Sequence, residues 1–109
     1  MMLSIIKIVP LPGKRKEVLD ILLSIKGPTL AVSGCRGSCL CEEQGDENTI
    51  IYLEKWVSSE FLYRHICSDI YSRILEAMEL SGGTPELFVM EVAKTKGMKL
   101  IKEIRNLKR

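Results

Sequence analysis

No stretch of this 109-residue sequence reads as a membrane span, which takes about 20 consecutive apolar residues. The longest uncharged run, residues 27–35, has nine residues and holds Pro28 and two glycines. The sequence also lacks a basic segment ahead of its first apolar run. That run carries Lys7 and stops at Pro10, so it reads as a strand and not as a secretory leader; the expected location is the cytoplasm. No glycine-rich dinucleotide loop follows it. Histidine and tryptophan occur once each, and aromatic residues make up 6% of the chain. The four cysteines follow no common zinc pattern: Cys35, Cys39 and Cys41 are spaced C-x3-C-x-C, and Cys67 is distant. Strand alternation puts the first three on one face with their thiols parallel, as small buried residues of a sheet. The expectation is no bound metal, no cofactor and, in a reducing compartment, no disulfide.

What is present is ordinary globular composition. Hydrophobic residues make up 46%, charged residues 28%, and the mean hydropathy is +0.09, at a length that suits one domain. The net charge of +2 conceals an asymmetry. Residues 1–92 carry nine Lys/Arg against thirteen Asp/Glu, a charge of −4, whereas residues 93–109 carry seven against Glu103 alone, a charge of +6. The whole-chain charge therefore gives no argument for nucleic acid, and the tail is judged separately. The expected division is a domain over residues 1–94 and a basic amphipathic helix over residues 95–109.

Residues 2–9 (MLSIIKIV) are rich in β-branched side chains, as in a buried strand. Pro12-Gly13 opens a helix in which Val18, Leu22 and Ile25 recur at i, i+4, i+7, and Gly27-Pro28 is expected to end it near Lys26. Lys14, Arg15 and Lys16 crowd its N-terminus, against the helix dipole. Residues 34–44 (GCRGSCLCEEQ) and 49–57 (TIIYLEKWV) read as a hairpin around a turn at residues 45–48. Ser58-Ser59-Glu60 has capping chemistry for a helix to about Ile66. A second piece, residues 68–80, puts Ile70, Ile74, Leu75 and Met78 on one face. Residues 86–93 (ELFVMEVA) alternate as a final strand, and Gly97 precedes a last helix. Its stripe of Leu100, Ile101, Ile104 and Leu107 is expected to dock against protein, on the body or on a partner subunit, with no membrane or nucleic acid involved.

The order β-α-β-β-α-β predicts an α+β, ferredoxin-like fold: a four-stranded antiparallel sheet with helices on one face, and an extra C-terminal helix. The other face is left bare, and pairing two sheets in a homodimer covers it.

Pro12-Gly13-Lys14, Gly34-Cys35 and above all Glu54-Lys55-Trp56-Val57-Ser58-Ser59, leading into Leu62, His65, Ser68 and Tyr71, resemble the antibiotic biosynthesis monooxygenase family. The resemblance spans residues 2–94. It implies a homodimeric α/β barrel with a small apolar cavity in each subunit, between sheet and helices. It implies, too, oxidation of a phenolic or quinol-type aromatic by dioxygen, with neither metal nor flavin. Two departures stand out. Quinone-forming members carry an Asn four residues before the Trp, where this chain has Tyr52. Haem-degrading relatives carry an Asn in the first strand, where this chain has Ile6 or Lys7.

Alternation puts Ile50, Tyr52, Glu54 and Trp56 on one strand face. If Trp56 faces the cavity, as the resemblance implies, Tyr52 and Glu54 line the same wall, and His65 on the following helix closes over it. Glu54 or His65 would take the phenolic proton, Trp56 would shape the pocket, and Tyr52, Leu62 and Tyr71 would contact the substrate. Each has a plain structural alternative. Trp56 and Tyr71 would fill the core, His65 would fill the helix–sheet junction, and Glu54 would pair with a neighbouring cation. Two further functions stay open: a non-catalytic module binding a small hydrophobic ligand, and a haem-binding relative.

Overall fold

The computed structural model describes residues 1–107. Its elements run β1 (Met2–Ile8), α1 (Arg15–Leu30), β2 (Cys35–Glu43), β3 (Asp46–Trp56), α2 (Ser59–Ile66), α3 (Asp69–Glu79), β4 (Glu86–Glu91) and α4 (Met98–Leu107). The strands form one sheet in the order β2-β3-β1-β4, and every pairing is antiparallel. This is the ferredoxin-like arrangement that the element order predicts. Among the described residues no helix is long and apolar enough to cross a membrane.

Alternation along β1 sorts the two faces. Met2, Ser4, Ile6 and Ile8 are buried under helices, while Leu3, Ile5 and Lys7 are half-exposed on the other side. The helix side holds the core, where Ile6, Ile8 and Ile50 of the sheet meet Val18, Leu22 and Ile25 of α1 and Ile74 and Ala77 of α3. A smaller cluster at the end of β3 gathers Met2, Trp56 and Leu62, with Val32, Cys35 and Phe61 against it. Opposite, Leu3 lies beside Met90 and Ile5 between Leu53 and Phe88, with no helix over them.

Several boundaries differ from the sequence expectation for local reasons. Helix α1 runs on through Pro28 to Leu30 instead of stopping at Lys26. Pro28 forfeits the bond to the carbonyl of Ser24, but burial of Ile25 and Thr29 against the sheet holds the helix on course. Its end closes with Ala31 N–H donating to the Gly27 carbonyl at 3.2 Å. The hairpin turn is tighter than expected. Strand β2 ends at Glu43 and β3 begins at Asp46, with Gly45 at φ +88° between them. Ser58 is the N-cap of α2 but makes no capping bond through its side chain, whereas Ser68 accepts the Tyr71 N–H and caps α3. On α3 the buried residues are Tyr71, Ile74 and Ala77, and Leu75 points outward.

The cysteine expectation fails at a bulge. Cys35 pairs with Trp56 but Gly37 pairs with Lys55, so Arg36 is an extra residue that switches the alternation. Cys35 therefore packs in the Trp56 cluster, while Cys39 and Cys41 pair with Leu53 and Ile51 on the opposite face and are exposed. The cations at the start of α1 have carboxylate partners: Lys14 with Glu17, Arg15 with Glu42, and Lys16 with Asp20.

The tail behaves as a separate limb. None of α4 is buried, so it does not dock on the body of its own chain. The Cα radius of gyration is 16.3 Å, against about 13 Å for a compact chain of this size. Lys108 and Arg109 of the expected tail lie outside the described residues.

Candidate functional site

Register builds the site. Ser38 of β2, Glu54 of β3 and Ser4 of β1 lie in one row across the sheet, flanked by a row of Leu40, Tyr52 and Ile6 and by a row of Cys35, Trp56 and Met2. Ser4, Ser38, Tyr52, Glu54 and Trp56 are all buried beneath the helices. Helix α2 begins three residues after Trp56 and brings His65 down onto the same place, one turn above the Ser68 hydroxyl that donates to its carbonyl at 2.6 Å.

At the centre is a carboxylate with two nitrogen partners. Glu54 Oε1 accepts the indole N–H of Trp56 at 3.2 Å, and Glu54 Oε2 lies 3.1 Å from His65 Nε2. Glu54 and His65 are each 1% exposed. If Glu54 is the ionised, accepting partner, the proton of a neutral imidazole sits on His65 Nε2 and Nδ1 bears a lone pair. The imidazole is fixed by its neighbours. The Trp56 ring lies against it at a 33° tilt with centroids 4.6 Å apart, and Tyr71 meets it edge-on at 5.5 Å.

One atom of this assembly is unpaired. His65 Nδ1 is buried without a hydrogen-bond partner among the described residues. Such an atom costs about 1–3 kcal/mol in a folded interior.

A hydroxyl cluster adjoins it. The Tyr52 hydroxyl and Ser38 Oγ are 2.7 Å apart. Burial pushes the Tyr52 phenol well above its ordinary value, and the Glu54 charge adds to this, against a smaller opposite pull from the Ser38 and Thr29 hydroxyls. Burial raises Tyr71 as well, with Glu54 again contributing. Both phenols thus stay protonated donors at neutral pH. Thr29 Oγ1, wholly buried on the last turn of α1, has no hydrogen-bond partner of good geometry.

The structure brings Glu54, Trp56, His65, Tyr52 and Tyr71 together, and Leu62 packs beneath Trp56. The partner of Glu54 is a histidine and an indole, not the Lys or Arg of the structural alternative. Ser38 and Thr29 are additions that sequence reasoning did not supply. Thr29 was hidden by the expectation that Pro28 ends the helix, and Ser38 becomes visible only once the bulge fixes the register. Among the described residues no three of His, Cys, Asp and Glu are grouped as metal ligands. One open cleft, lined by Met1, Met2, Val57, Ser58, Ser59, Tyr63 and Glu91, shares Met2 with the Trp56 cluster.

Comparison with known proteins agrees with this architecture. Rv0793 from Mycobacterium tuberculosis superposes with a TM-score of 0.80 at 23% identity, over 88% of this chain and 98% of its own. A conserved protein from Methanosarcina mazei Go1 gives 0.77 at 23% identity, over 83% and 90%. A structure described as an antibiotic biosynthesis monooxygenase gives 0.77 at 16% identity, over 86% and 100%. At these identities the likeness is one of fold. No curated protein matches the sequence. The sequence profile of antibiotic biosynthesis monooxygenases matches residues 1–77, a span that holds Tyr52, Glu54, Trp56, Leu62, His65 and Tyr71. The chain belongs to the antibiotic biosynthesis monooxygenase family.

Proposed function

We propose that the protein is a cofactor-independent monooxygenase that oxidises a phenolic or quinol-type aromatic compound with dioxygen, working as a homodimer. The observation that carries this reading is the buried His65 imidazole, anchored at Nε2 by Glu54 and unpartnered at Nδ1.

In this reading the substrate hydroxyl lies against His65 Nδ1 and gives up its proton there. The electron-rich ring then reduces dioxygen directly: one oxygen atom forms a bond to ring carbon, and the O–O bond breaks as the second leaves as water. The ring supplies the electrons and ends as a quinone; of the two protons that make the departing oxygen water, His65 returns one and the attacked ring carbon gives up the other. The protein's task is to bind, to take and return that proton, and to exclude water. Glu54 holds the imidazole in the tautomer that accepts. Trp56 and Tyr71 fix its plane, while the Tyr52, Ser38 and Thr29 hydroxyls supply polar contacts to a second oxygen on the ring. Entry to so closed a site requires α2 to shift, and only Leu62 and His65 of that helix are buried. The homodimer follows from the apolar outer face, where Leu3, Ile5, Leu53, Phe88 and Met90 lack cover.

Oxygen uptake with a hydroquinone probe tests the reading. His65→Ala is expected to lose about 10²- to 10⁴-fold in rate, the usual contribution of a general base. Equal rates for His65→Ala and the parent, or no uptake by the parent with any quinol, would return the protein to a ligand-binding module.

A further inference from the structure

The tail and the last strand are both left unfinished by a single chain. The helix layer does not reach β4: α1 packs on β2 and β3, and α3 lies on α1 and over β1. Leu87 and Val89, which share the helix-side face with Ile6 and Ser4, are therefore 48% and 42% exposed. Glu91 continues the same flank beside Met2. Helix α4 has the complementary makeup. Leu100, Ile101, Ile104 and Leu107 fall within about 120° of arc, and Lys99, Lys102 and Arg105 occupy the opposite side. It stands away from its own body with none of its residues buried.

We propose that α4 is an exchanged arm: in the homodimer it seats on the second copy of this chain, covering the flank of β4 that the helix layer leaves open. Leu100, Ile101, Ile104 and Leu107 lie over Leu87 and Val89 of that copy, with the basic side chains beside its Glu91. Charge favours this occupant. The tail carries +6 and the remainder of each chain −4, so an arm that buries none of its residues on its own body meets a surface of opposite sign on the second copy. Reach allows it too. Residues 92–97 between β4 and α4 are free of regular structure, and six extended residues span about 20 Å, enough to cross a sheet edge to a neighbouring copy. An amphipathic helix of this charge also suits an anionic lipid surface. The matching uncovered flank on the protein itself decides for the second copy.

The inference rests on the homodimer of the proposed function, and its test separates the two. Light and ¹⁵N-labelled chains are mixed, allowed to exchange, and cross-linked with a zero-length carbodiimide. Amide exchange is followed over a dilution series, with light scattering on the same samples. The expected result is heavy–light cross-links from Lys99 or Lys102 to Glu91, with amides 98–107 protected in the dimer and unprotected on dilution to monomer. Ile101→Glu combined with Ile104→Glu is expected to raise the dimer dissociation constant by about tenfold or more while the circular dichroism of the body stays the same. Links confined to one chain, with protection independent of concentration, would overturn the exchange. A stable dimer with amides 98–107 unprotected would overturn the arm and leave the dimer standing; a monomer at all concentrations would remove both. Protection arising only on vesicles of phosphatidylserine and phosphatidylcholine would likewise overturn it and assign α4 to a membrane surface.

Discussion

Replacing Glu54 by Gln keeps the shape of the site and changes one thing, the count of acceptors. The carboxylate accepts from two donors at once, the Trp56 indole at 3.2 Å and His65 Nε2 at 3.1 Å. A Gln amide has one oxygen and one NH₂ group, so it satisfies only one of the two as donors. The indole N–H cannot change its role. The amide oxygen therefore stays with Trp56, its NH₂ faces His65, and the imidazole proton moves from Nε2 to Nδ1. The atom that accepted a proton now donates one. The expected loss in oxygen-uptake rate is about 10²- to 10⁴-fold, or about 2.7–5.5 kcal/mol of barrier. Stability is expected to change by no more than about 1–2 kcal/mol, because losing a hydrogen bond to a charged acceptor is offset by relief from burying a carboxylate. A dioxygen electrode with a hydroquinone substrate gives the rate, and urea unfolding of the same preparation gives the stability. A Glu54→Gln protein that unfolds like the parent and oxidises within about threefold of its rate would refute the tautomer argument.

Further outcomes follow from the packing. Gly34 sits at φ +85°, and a Cβ there would run into the Phe61 ring, so Gly34→Ala is expected to cost about 2–5 kcal/mol in urea unfolding; a cost below about 0.5 kcal/mol would deny the close approach. Ile5→Arg on the open sheet face is expected to give a monomer by light scattering with an unchanged circular dichroism spectrum, and a dimer of parental stability would place the interface elsewhere. Tyr52 and Tyr71 have phenols raised above the ordinary 10.0, so the unfolded chain releases protons first and stability falls as pH rises beyond about 10. Their tyrosinate absorbance should arrive together with loss of circular dichroism, and ionisation well before unfolding would contradict their burial.

The fold was largely legible because its signals are local. The β-branched run of residues 2–9 and the i, i+4, i+7 spacing of Val18, Leu22 and Ile25 report a strand and a helix, whatever surrounds them. Where long-range packing decides, local signals mislead. Pro28 reads as a stop, yet the helix passes through it because Thr29 is wanted against the sheet. Cys35, Cys39 and Cys41 share a phase in the sequence, and a single bulged residue, Arg36, separates them in space. The site divides in the same way. Tyr52, Glu54 and Trp56 are two residues apart on one strand, so their common face could be read directly. The contact between Glu54 and His65 depends on how α2 turns back, which no spacing encodes, and it makes one assembly of two residues that read as competing bases.

The proposed chemistry stands or falls on Glu54 holding His65 with its proton on Nε2 and a lone pair on Nδ1. As the only histidine in the chain, His65 gives one unambiguous imidazole signal. A long-range ¹H–¹⁵N correlation spectrum of ¹⁵N-labelled protein at neutral pH distinguishes its two nitrogens directly. The expected spectrum shows a protonated Nε2 and an unprotonated Nδ1 in the parent, and the reverse in Glu54→Gln. A parent spectrum with the proton on Nδ1, or on both nitrogens, would contradict it.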